Sequence, residues 1–226
     1  MTRIVKAPDE RRNELIATAQ RLFYTKGYER TSVSNIVEEI GVAQGTFYYY
    51  FDSKQAILEA VVEELIAQSV VLMQAIIADQ TLDAIAKWNK TIQVINDWKI
   101  GRKADLIAIS RILRMDGNLR LRYQLQSKAT QLATPELAQI VAQGCEEGVF
   151  HTEHAVEVAE CAIAILHSLS DALTDIVLNP EEYEDPITLA QRKLKAAQTA
   201  IERVLGAPSG SLPLFDKDTV MAWFAD

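Results

Sequence analysis

The stretch TSVSNIVEEIGVAQGTFYYYFDSKQAIL, residues 31–58, decides the fold of the N-terminal part of this chain. Apolar residues recur at helical spacing in its first half, after two hydroxyl residues that can cap the free amides of a helix. Gly41 then predicts a stop, because glycine tolerates the left-handed backbone that ends many helices. A second short helix is predicted over about residues 44–50. Two short helices joined by such a turn can place the second one in a DNA major groove, so this stretch predicts a helix-turn-helix.

Helices are also predicted on both sides of this stretch. Residues 9–26 have acidic side chains in the first turn, an apolar stripe and Gly27 as a stop. Together the three helices are expected to form a head of about fifty residues, which is too small to be very stable unless another element braces it. Ser53 is a candidate N-cap for a helix that runs to about residue 78, a length of ~39 Å at 1.5 Å per residue. This long helix is the expected brace and the link to the rest of the chain.

Composition favours an all-α fold. The 226 residues are 49% hydrophobic, enough for a sizeable core, and the nine glycines and six prolines are few for a fold of short strands. Because no apolar run reaches 18 uninterrupted residues and no signal-peptide pattern opens the chain, we expect a cytoplasmic protein without a membrane partner. Cys145 and Cys161 lack a paired spacing and are expected to be free thiols in a reducing compartment.

Charge is distributed unevenly along the chain. Residues 1–60 hold eight basic and eight acidic residues, whereas residues 61–226 hold 15 basic and 23 acidic residues and carry the whole net charge of −8. DNA binding depends on local clustering of positive charge rather than on the total. The head offers basic residues in a polar arm over residues 1–8 and beyond it, at Arg3, Lys6, Arg11, Arg12, Lys26, Arg30 and Lys54.

The order of these elements resembles the TetR family of bacterial transcriptional repressors. The resemblance covers roughly residues 10–60, about a quarter of the chain, and rests on residues at fixed spacing: Thr31, Ile36, Gly41, Val42, Gly45, Tyr48, Tyr50, Phe51, Lys54 and Leu58. Ala43 departs from the family pattern, which usually has serine or threonine there, so one capping or phosphate-binding hydroxyl is missing. The resemblance implies a regulator that binds a palindromic operator as a dimer and is released by a small-molecule effector.

Several side chains in residues 31–54 suit contact with double-stranded DNA. The amide of Gln44 can form paired hydrogen bonds with adenine, and the methyl group of Thr46 can touch thymine. Gly45 lets the backbone approach DNA closely, while nearby hydroxyl and ammonium groups can bind phosphates. The predicted DNA-binding residues are Thr31, Ser32, Gln44, Gly45, Thr46, Tyr48, Tyr49 and Lys54. A hydrophobic core patch is the alternative interpretation of the run FYYYF, and its helical context argues against a stacking platform for single strands.

Beyond residue 80, apolar periodicity predicts a larger helical domain. Thr134 and Pro135 form a start signal that is expected to separate two of its helices. The predicted helices cover residues 81–100, 102–115, 118–132, 136–147, 155–177 and 186–205. The predicted division is a DNA-binding domain over residues 1–52, an effector-binding and dimerisation domain over 53–206, and a tail over 207–226. Because the tail is rich in apolar residues, we expect it to dock rather than to be disordered.

The last two predicted helices have features of a dimer interface. Residues 155–177 are apolar around most of the helix, and residues 186–205 repeat apolar positions every three or four residues, as in a coiled-coil seam. The resemblance implies the same, because TetR-family members pair through their final two long helices. The predicted interface residues are Ala155, Ala159, Ala162, Leu166, Leu169, Leu173, Ile187, Ala190, Leu194, Ala197 and Ile201. Ordinary core packing within one chain is the alternative.

The resemblance implies a small-molecule effector among the middle helices. The candidate pocket residues are Met73, Trp88, Trp98, Leu113, Tyr123, Phe150 and His167. These residue types at helical spacing also occur in plain hydrophobic cores, and a mostly apolar cavity would distinguish the two cases. A dimeric DNA-binding regulator whose body senses a protein partner, or no ligand, is the alternative function.

Enzyme and metal chemistry have weak support in the sequence. His151 and His154 lie three residues apart with acidic residues nearby, but Gly148 interrupts the helix just before them. His167 and Asp171 share a predicted helix face, yet no nucleophile motif or glycine-rich phosphate loop accompanies them. We therefore expect no catalytic residues, no metal and no cofactor.

Overall fold

The computed structural model describes residues 7–224, and this part of the chain folds into helices without a β-strand. The all-α prediction is therefore confirmed. Single turns of 3-10 helix lie at Asp116–Asn118 and Pro180–Glu182. The α-helices are α1 (Pro8–Thr25), α2 (Val33–Glu39), α3 (Gln44–Tyr50), α4 (Lys54–Ile77), α5 (Ala84–Ile100), α6 (Lys103–Leu113), α7 (Leu119–Glu146), α8 (Ala155–Leu178), α9 (Pro186–Leu205) and α10 (Lys217–Phe224).

The helices form two compact units, each with its own hydrophobic core. The first unit extends through Ile66 and adds Ala104–Leu125, so it contains α1 to α3, the first half of α4, most of α6 and the start of α7. The second unit consists of Ala67–Lys103 and the chain from Gln126 onward. These bounds differ from the predicted division after residue 52, because residues far along the chain supply side chains to the first core.

The core of the first unit is built on α1 and the start of α4. Leu15, Phe23, Ile57 and Leu58 are at most 1% exposed. Burying one such apolar side chain stabilises a fold by ~1.5–3 kcal/mol, so each further buried side chain matters to a small domain. The segment from α6 and α7 adds four buried residues to this core, Ile109, Ile112, Leu121 and Leu125.

The C-terminal tail is part of the core of the second unit. Leu212, Leu214 and Val220 are at most 5% exposed and pack with buried side chains of α5, α7, α8 and α9. Three side-chain donors, spaced seven residues apart along α5 and the start of α6, hold the tail through its backbone. These hydrogen bonds join Asn89 Nδ2 to Ser211 O at 3.1 Å, Asn96 Nδ2 to Leu214 O at 2.8 Å and Lys103 Nζ to Ala222 O at 3.1 Å.

Helix α7 continues through Pro135, so the predicted break between residues 132 and 136 is wrong. Proline lacks an N–H, which costs the Gln131 carbonyl its helical partner and destabilises a helix by ~3 kcal/mol. Just after the proline, however, Leu137, Ile140 and Val141 are at most 5% exposed. Their burial contributes ~1.5–3 kcal/mol each, which offsets the cost of the proline and keeps the helix continuous.

The predicted dimer seam packs within one chain. Helices α8 and α9 lie against each other, and seven of the predicted interface residues are at most 8% exposed: Ala159, Ala162, Leu169, Ala190, Leu194, Ala197 and Ile201. The others are partly buried against the same core, namely Ala155, Leu166, Leu173 and Ile187. A spacing of three and four residues shows that one face of a helix is covered but not which chain covers it. These predicted interface residues therefore belong to the core of the second unit.

Two helices, α4 and α8, are long and apolar enough to cross a membrane by length and composition, with mean hydropathies of 1.7 and 1.6. Both contribute buried side chains to the cores described above, such as Leu58 from α4 and Ile163 from α8. A helix that packs on several sides within a protein has the same apolar composition.

Candidate nucleic-acid interface

The start of α2 is fixed by capping, and its end by one glycine. The Asn35 N–H donates to Ser32 Oγ at 3.1 Å, and the Ser32 N–H donates to Asn35 Oδ1 at 3.1 Å, so the two residues cap the start of α2. Gly41 has φ 68°, a left-handed conformation that favours glycine. Because the helix ends there, the Val42 N–H reaches back to Val37 O at 3.0 Å. The predicted helix-turn-helix is therefore present.

Helix α3 has one buried face and one exposed face. Phe47 is fully buried and Phe51, which follows the helix, is 4% exposed, so both anchor α3 in the first core. Tyr48 is 52% exposed and Tyr49 is 77% exposed. Their rings make edge-to-face contacts, Tyr48 with Phe47 at 5.5 Å and Tyr49 with Tyr50 at 4.8 Å between ring centroids. The aromatic run is therefore divided between core and surface.

The N-terminal end of α3 is open to solvent. Gln44 and Gly45 are exposed, and Thr46 is partly exposed. In the described part of the chain, no heavy atom outside the neighbouring backbone lies within 4 Å of the point where a Cβ on Gly45 would stand. Ala43 occupies the N-cap position without a side-chain hydrogen bond, as the missing hydroxyl implies. A molecule that approaches this end meets an amide, bare backbone and a hydroxyl.

Thr31 has a structural role, whereas the sequence predicts a DNA contact for it. Its side chain is 1% exposed, and its hydroxyl donates to Gly27 O at 2.8 Å, with Leu22 O also within reach at 3.3 Å. These contacts tie the segment before α2 to the end of α1. Because the hydroxyl is buried against these carbonyls, it has no surface to offer DNA, and the predicted DNA contact of Thr31 is withdrawn.

Lys54 joins the start of α4 to the loop after α1. Its Nζ donates to Tyr28 O at 2.9 Å and lies 4.2 Å from the centroid of the Tyr28 ring. Burial, and then the charge of Glu29, raise the pKa of Tyr28, so this phenol stays protonated. An ammonium has three donors, so Lys54 can hold Tyr28 and also bind a phosphate. Sequence reasoning missed Tyr28, because no local pattern signals a contact between residues 26 positions apart.

The basic residues of the head are partly engaged by neighbours. The predicted arm over residues 1–8 lies outside the described residues except for Ala7 and Pro8. The Arg12 guanidinium lies 5.4 Å from the centroid of the Phe51 ring. Arg30, by contrast, is exposed.

The predicted effector residues are divided between the two units. Those in the second unit are Met73 and Trp98, which are partly buried, Trp88 and Phe150, which are fully buried, and His167, which is partly buried. Leu113 packs against the core of the first unit instead. Tyr123 is also in the first unit and is 74% exposed, so it cannot line an enclosed pocket.

The described residues include no group of three or more histidine, cysteine, aspartate or glutamate side chains that could hold a metal ion. His151 Nδ1 instead lies 3.0 Å from Gly206 O. His154 precedes α8 as its N-cap residue, without a side-chain capping bond.

If Thr31 is structural, Thr31→Val will lower the stability of the first unit. The change keeps the shape of the side chain but leaves the Gly27 carbonyl without its partner, a loss of ~1–3 kcal/mol. Urea denaturation followed by tyrosine fluorescence measures the change. Thr25→Val is the matched control, because the Thr25 hydroxyl bonds to Arg21 O at an exposed position. Equal stability of the two variants would contradict the structural role of Thr31.

Comparison with known proteins agrees with this geometry. The family described as "Bacterial regulatory proteins, tetR family" matches residues 15–61. The HTH-type transcriptional regulator EthR of Mycolicibacterium smegmatis is 39% identical over 27% of this chain. The match spans only 28% of the length of that relative. The regulator YdgC of Bacillus subtilis is 25% identical over 80% of this chain and 87% of its own length.

The same fold occurs in solved structures. A TetR-family transcriptional regulator from Pectobacterium atrosepticum superposes with a TM-score of 0.67, at 20% sequence identity, over 92% of this chain and all of its own. At this identity the likeness shows the fold, whereas the match to the head comes from sequence. Residues 15–61 therefore match the tetR family of bacterial regulatory proteins, and the chain shares its fold with a solved TetR-family transcriptional regulator.

Proposed function

We propose that this chain is a homodimeric, ligand-responsive transcriptional repressor that binds a palindromic operator in the bacterial cytoplasm. The observation that carries the DNA-binding part is the division of α3. Buried phenylalanines anchor the helix from one side, while Gln44, Tyr48 and Tyr49 are exposed on the other. A short helix held in this way can enter a major groove without losing its support.

The exposed groups of the head divide into base-reading and phosphate-binding groups. The Gln44 amide can form two hydrogen bonds with an adenine, and the Thr46 methyl group can contact thymine. The phenols of Tyr48 and Tyr49, the Ser32 hydroxyl and the Lys54 ammonium can donate to phosphates, which sets the register of the helix on DNA. Gly45 allows the helix backbone to approach the bases closely.

The outer side of α8 and α9 supports pairing of two chains. A shallow groove between the helices is lined by small and partly apolar residues, and Ala164, Ser168 and Ala196 in it are exposed. Small side chains allow helices of a second copy to approach closely, and a two-fold axis brings the same surface of both copies together. Two heads held in this way can read the two halves of a palindrome.

The link between ligand and DNA binding rests on helices shared by both units. The first half of α4 and the first quarter of α7 belong to one unit, and the rest of each helix belongs to the other. A molecule bound in the second unit can therefore bias how the heads are held. It releases DNA only if it binds the DNA-incompetent state more tightly than the competent one.

We expect two kinds of DNA-binding defect from changes in the head. Gln44→Ala should remove discrimination at one base pair, worth ~1–3 kcal/mol, while retaining general affinity. Tyr48→Phe combined with Lys54→Met should weaken binding to every sequence, because phosphate contacts carry no sequence information. Competition gel shifts with the operator and its single-base variants measure both effects. Gln93→Ala, an exposed glutamine of α5, is the control. Unchanged binding by the double variant would contradict the proposed docking face.

Dimer formation through α8 and α9 is tested by enlarging one small residue. Ala196→Arg places a long charged side chain in the groove, so the mass from light scattering should shift toward the monomer mass of 25.2 kDa. Because Ala196 is exposed within one chain, the melting profile of the separated chain should change little. Ala142→Arg, at an exposed position of α7, should leave the dimer intact. A dimer that tolerates Ala196→Arg would place the interface elsewhere.

A further inference from the structure

Two positively charged side chains of the first unit lie over aromatic rings. The Arg12 guanidinium carbon is 5.4 Å from the centroid of the Phe51 ring, and Lys54 Nζ is 4.2 Å from the centroid of the Tyr28 ring. Both distances are within the range of a cation–π attraction, which favours the cation over the electron-rich face of the ring. Phe51 directly follows α3 and Lys54 is the first residue of α4, so both contacts involve residues next to α3.

The two rings are themselves fixed by the first core. Phe51 is 4% exposed, and its ring centroid lies 5.7 Å from that of Phe47, which is fully buried. The Tyr28 ring makes an edge-to-face contact with Phe23, which is 1% exposed, at 5.1 Å between ring centroids. Lys54 is held a second time by the hydrogen bond from its Nζ to Tyr28 O, at 2.9 Å. The core therefore determines where these two positive charges lie.

Neither of the two cations is neutralised by a carboxylate. In the described part of the chain, no aspartate or glutamate forms an ion pair with Arg12 or Lys54. Arg21, on the same helix as Arg12, is different, because its Nη2 atom lies 2.8 Å from Glu39 Oε1. A positive charge that is already paired attracts a further anion less strongly. Arg12, which is exposed, therefore has its full charge to offer to an anion from solution.

We propose that Arg12 is a second phosphate-binding cation of the DNA-docking surface, and that Tyr28 is a positioning residue for the first one, Lys54. A guanidinium has five N–H donors, so Arg12 can bind two oxygens of one phosphate while Phe51 supports it. Since the rings hold both cations before DNA arrives, less side-chain freedom is lost when phosphates bind. This inference rests on the proposed DNA-binding function and adds a contact residue and a support to it.

The salt dependence of DNA binding tests the role of Arg12. The probe is a fluorescein-labelled duplex of random sequence, because phosphate contacts form with any sequence, and its anisotropy gives the affinity of the full chain. Each lost phosphate contact makes the slope of log K against log[salt] less steep by ~0.9. We expect this change in Arg12→Met. Arg21→Met is the matched control and should keep the wild-type slope, because Arg21 is paired with Glu39.

Two results would overturn the role of Arg12. One is a wild-type slope in Arg12→Met, and the other is an equal change of slope in Arg12→Met and Arg21→Met. The melting temperatures of both variants are measured on the same samples, so that a loss of folding is distinguished from a loss of contact.

Two variants at Tyr28 test whether its ring positions Lys54. Tyr28→Phe keeps the ring and should bind the duplex as the wild type does. Tyr28→Leu removes the ring and should weaken binding about two- to fivefold, the size of one cation–π contact. In a Lys54→Met background, Tyr28→Leu should have no further effect, because the cation that the ring holds is gone. Equal affinity of the Phe and Leu variants, or additive losses in the double variant, would overturn the positioning role.

The same titrations separate this inference from the proposed function. A wild-type protein that binds the duplex as tightly as its Arg12→Met variant does, at every salt concentration, would overturn the role of Arg12 and leave DNA binding standing. A wild-type protein that binds no duplex at any salt concentration would overturn both.

Discussion

Burial of apolar side chains in the first unit is the constraint on which the DNA-reading surface depends. A three-helix head of about fifty residues buries too little surface to be very stable alone. The chain meets this constraint with Ile57 and Leu58 from the long helix α4, and with Ile112 and Leu125 from a segment more than fifty residues further along. The core of the head is therefore completed by residues that lie far from it along the chain.

This arrangement gives α3 its fixed position. Phe47 and Phe51 are part of the shared core, so the exposed amide, backbone and phenols of α3 are held by side chains that act together. The exposed face of α3 can be polar because the buried phenylalanines on its other face anchor the helix. Helices α4 and α7 also contribute to the second unit, so the same two helices carry buried side chains into both cores.

Local signals in the sequence were sufficient for most of the helices but not for the contacts that each helix makes. The bounds of α3 and α9 agree with prediction, because Gly41, Pro186 and Gly206 act on the backbone next to them. The break at Pro135 was wrong, since burial of residues after it outweighs a local preference.

Local sequence signals were also insufficient to identify which residues of the candidate sites are buried or paired. Nothing in the helical spacing of α9 distinguished packing against α8 from packing against a second chain. Thr31 matched the family pattern, but only its contact with the end of α1 showed that its hydroxyl is buried.

The central claim is that a distant segment of the chain holds the DNA-reading helix in place, and hydrogen exchange of the full-length protein tests it most directly. Leu125→Ala removes a side chain that is 4% exposed, while Leu132→Ala changes one that is 40% exposed on the same helix. The first change should cost ~2–5 kcal/mol in the core and speed amide exchange throughout residues 33–50, whereas the second should not. Unchanged protection of residues 33–50 in Leu125→Ala would contradict the account.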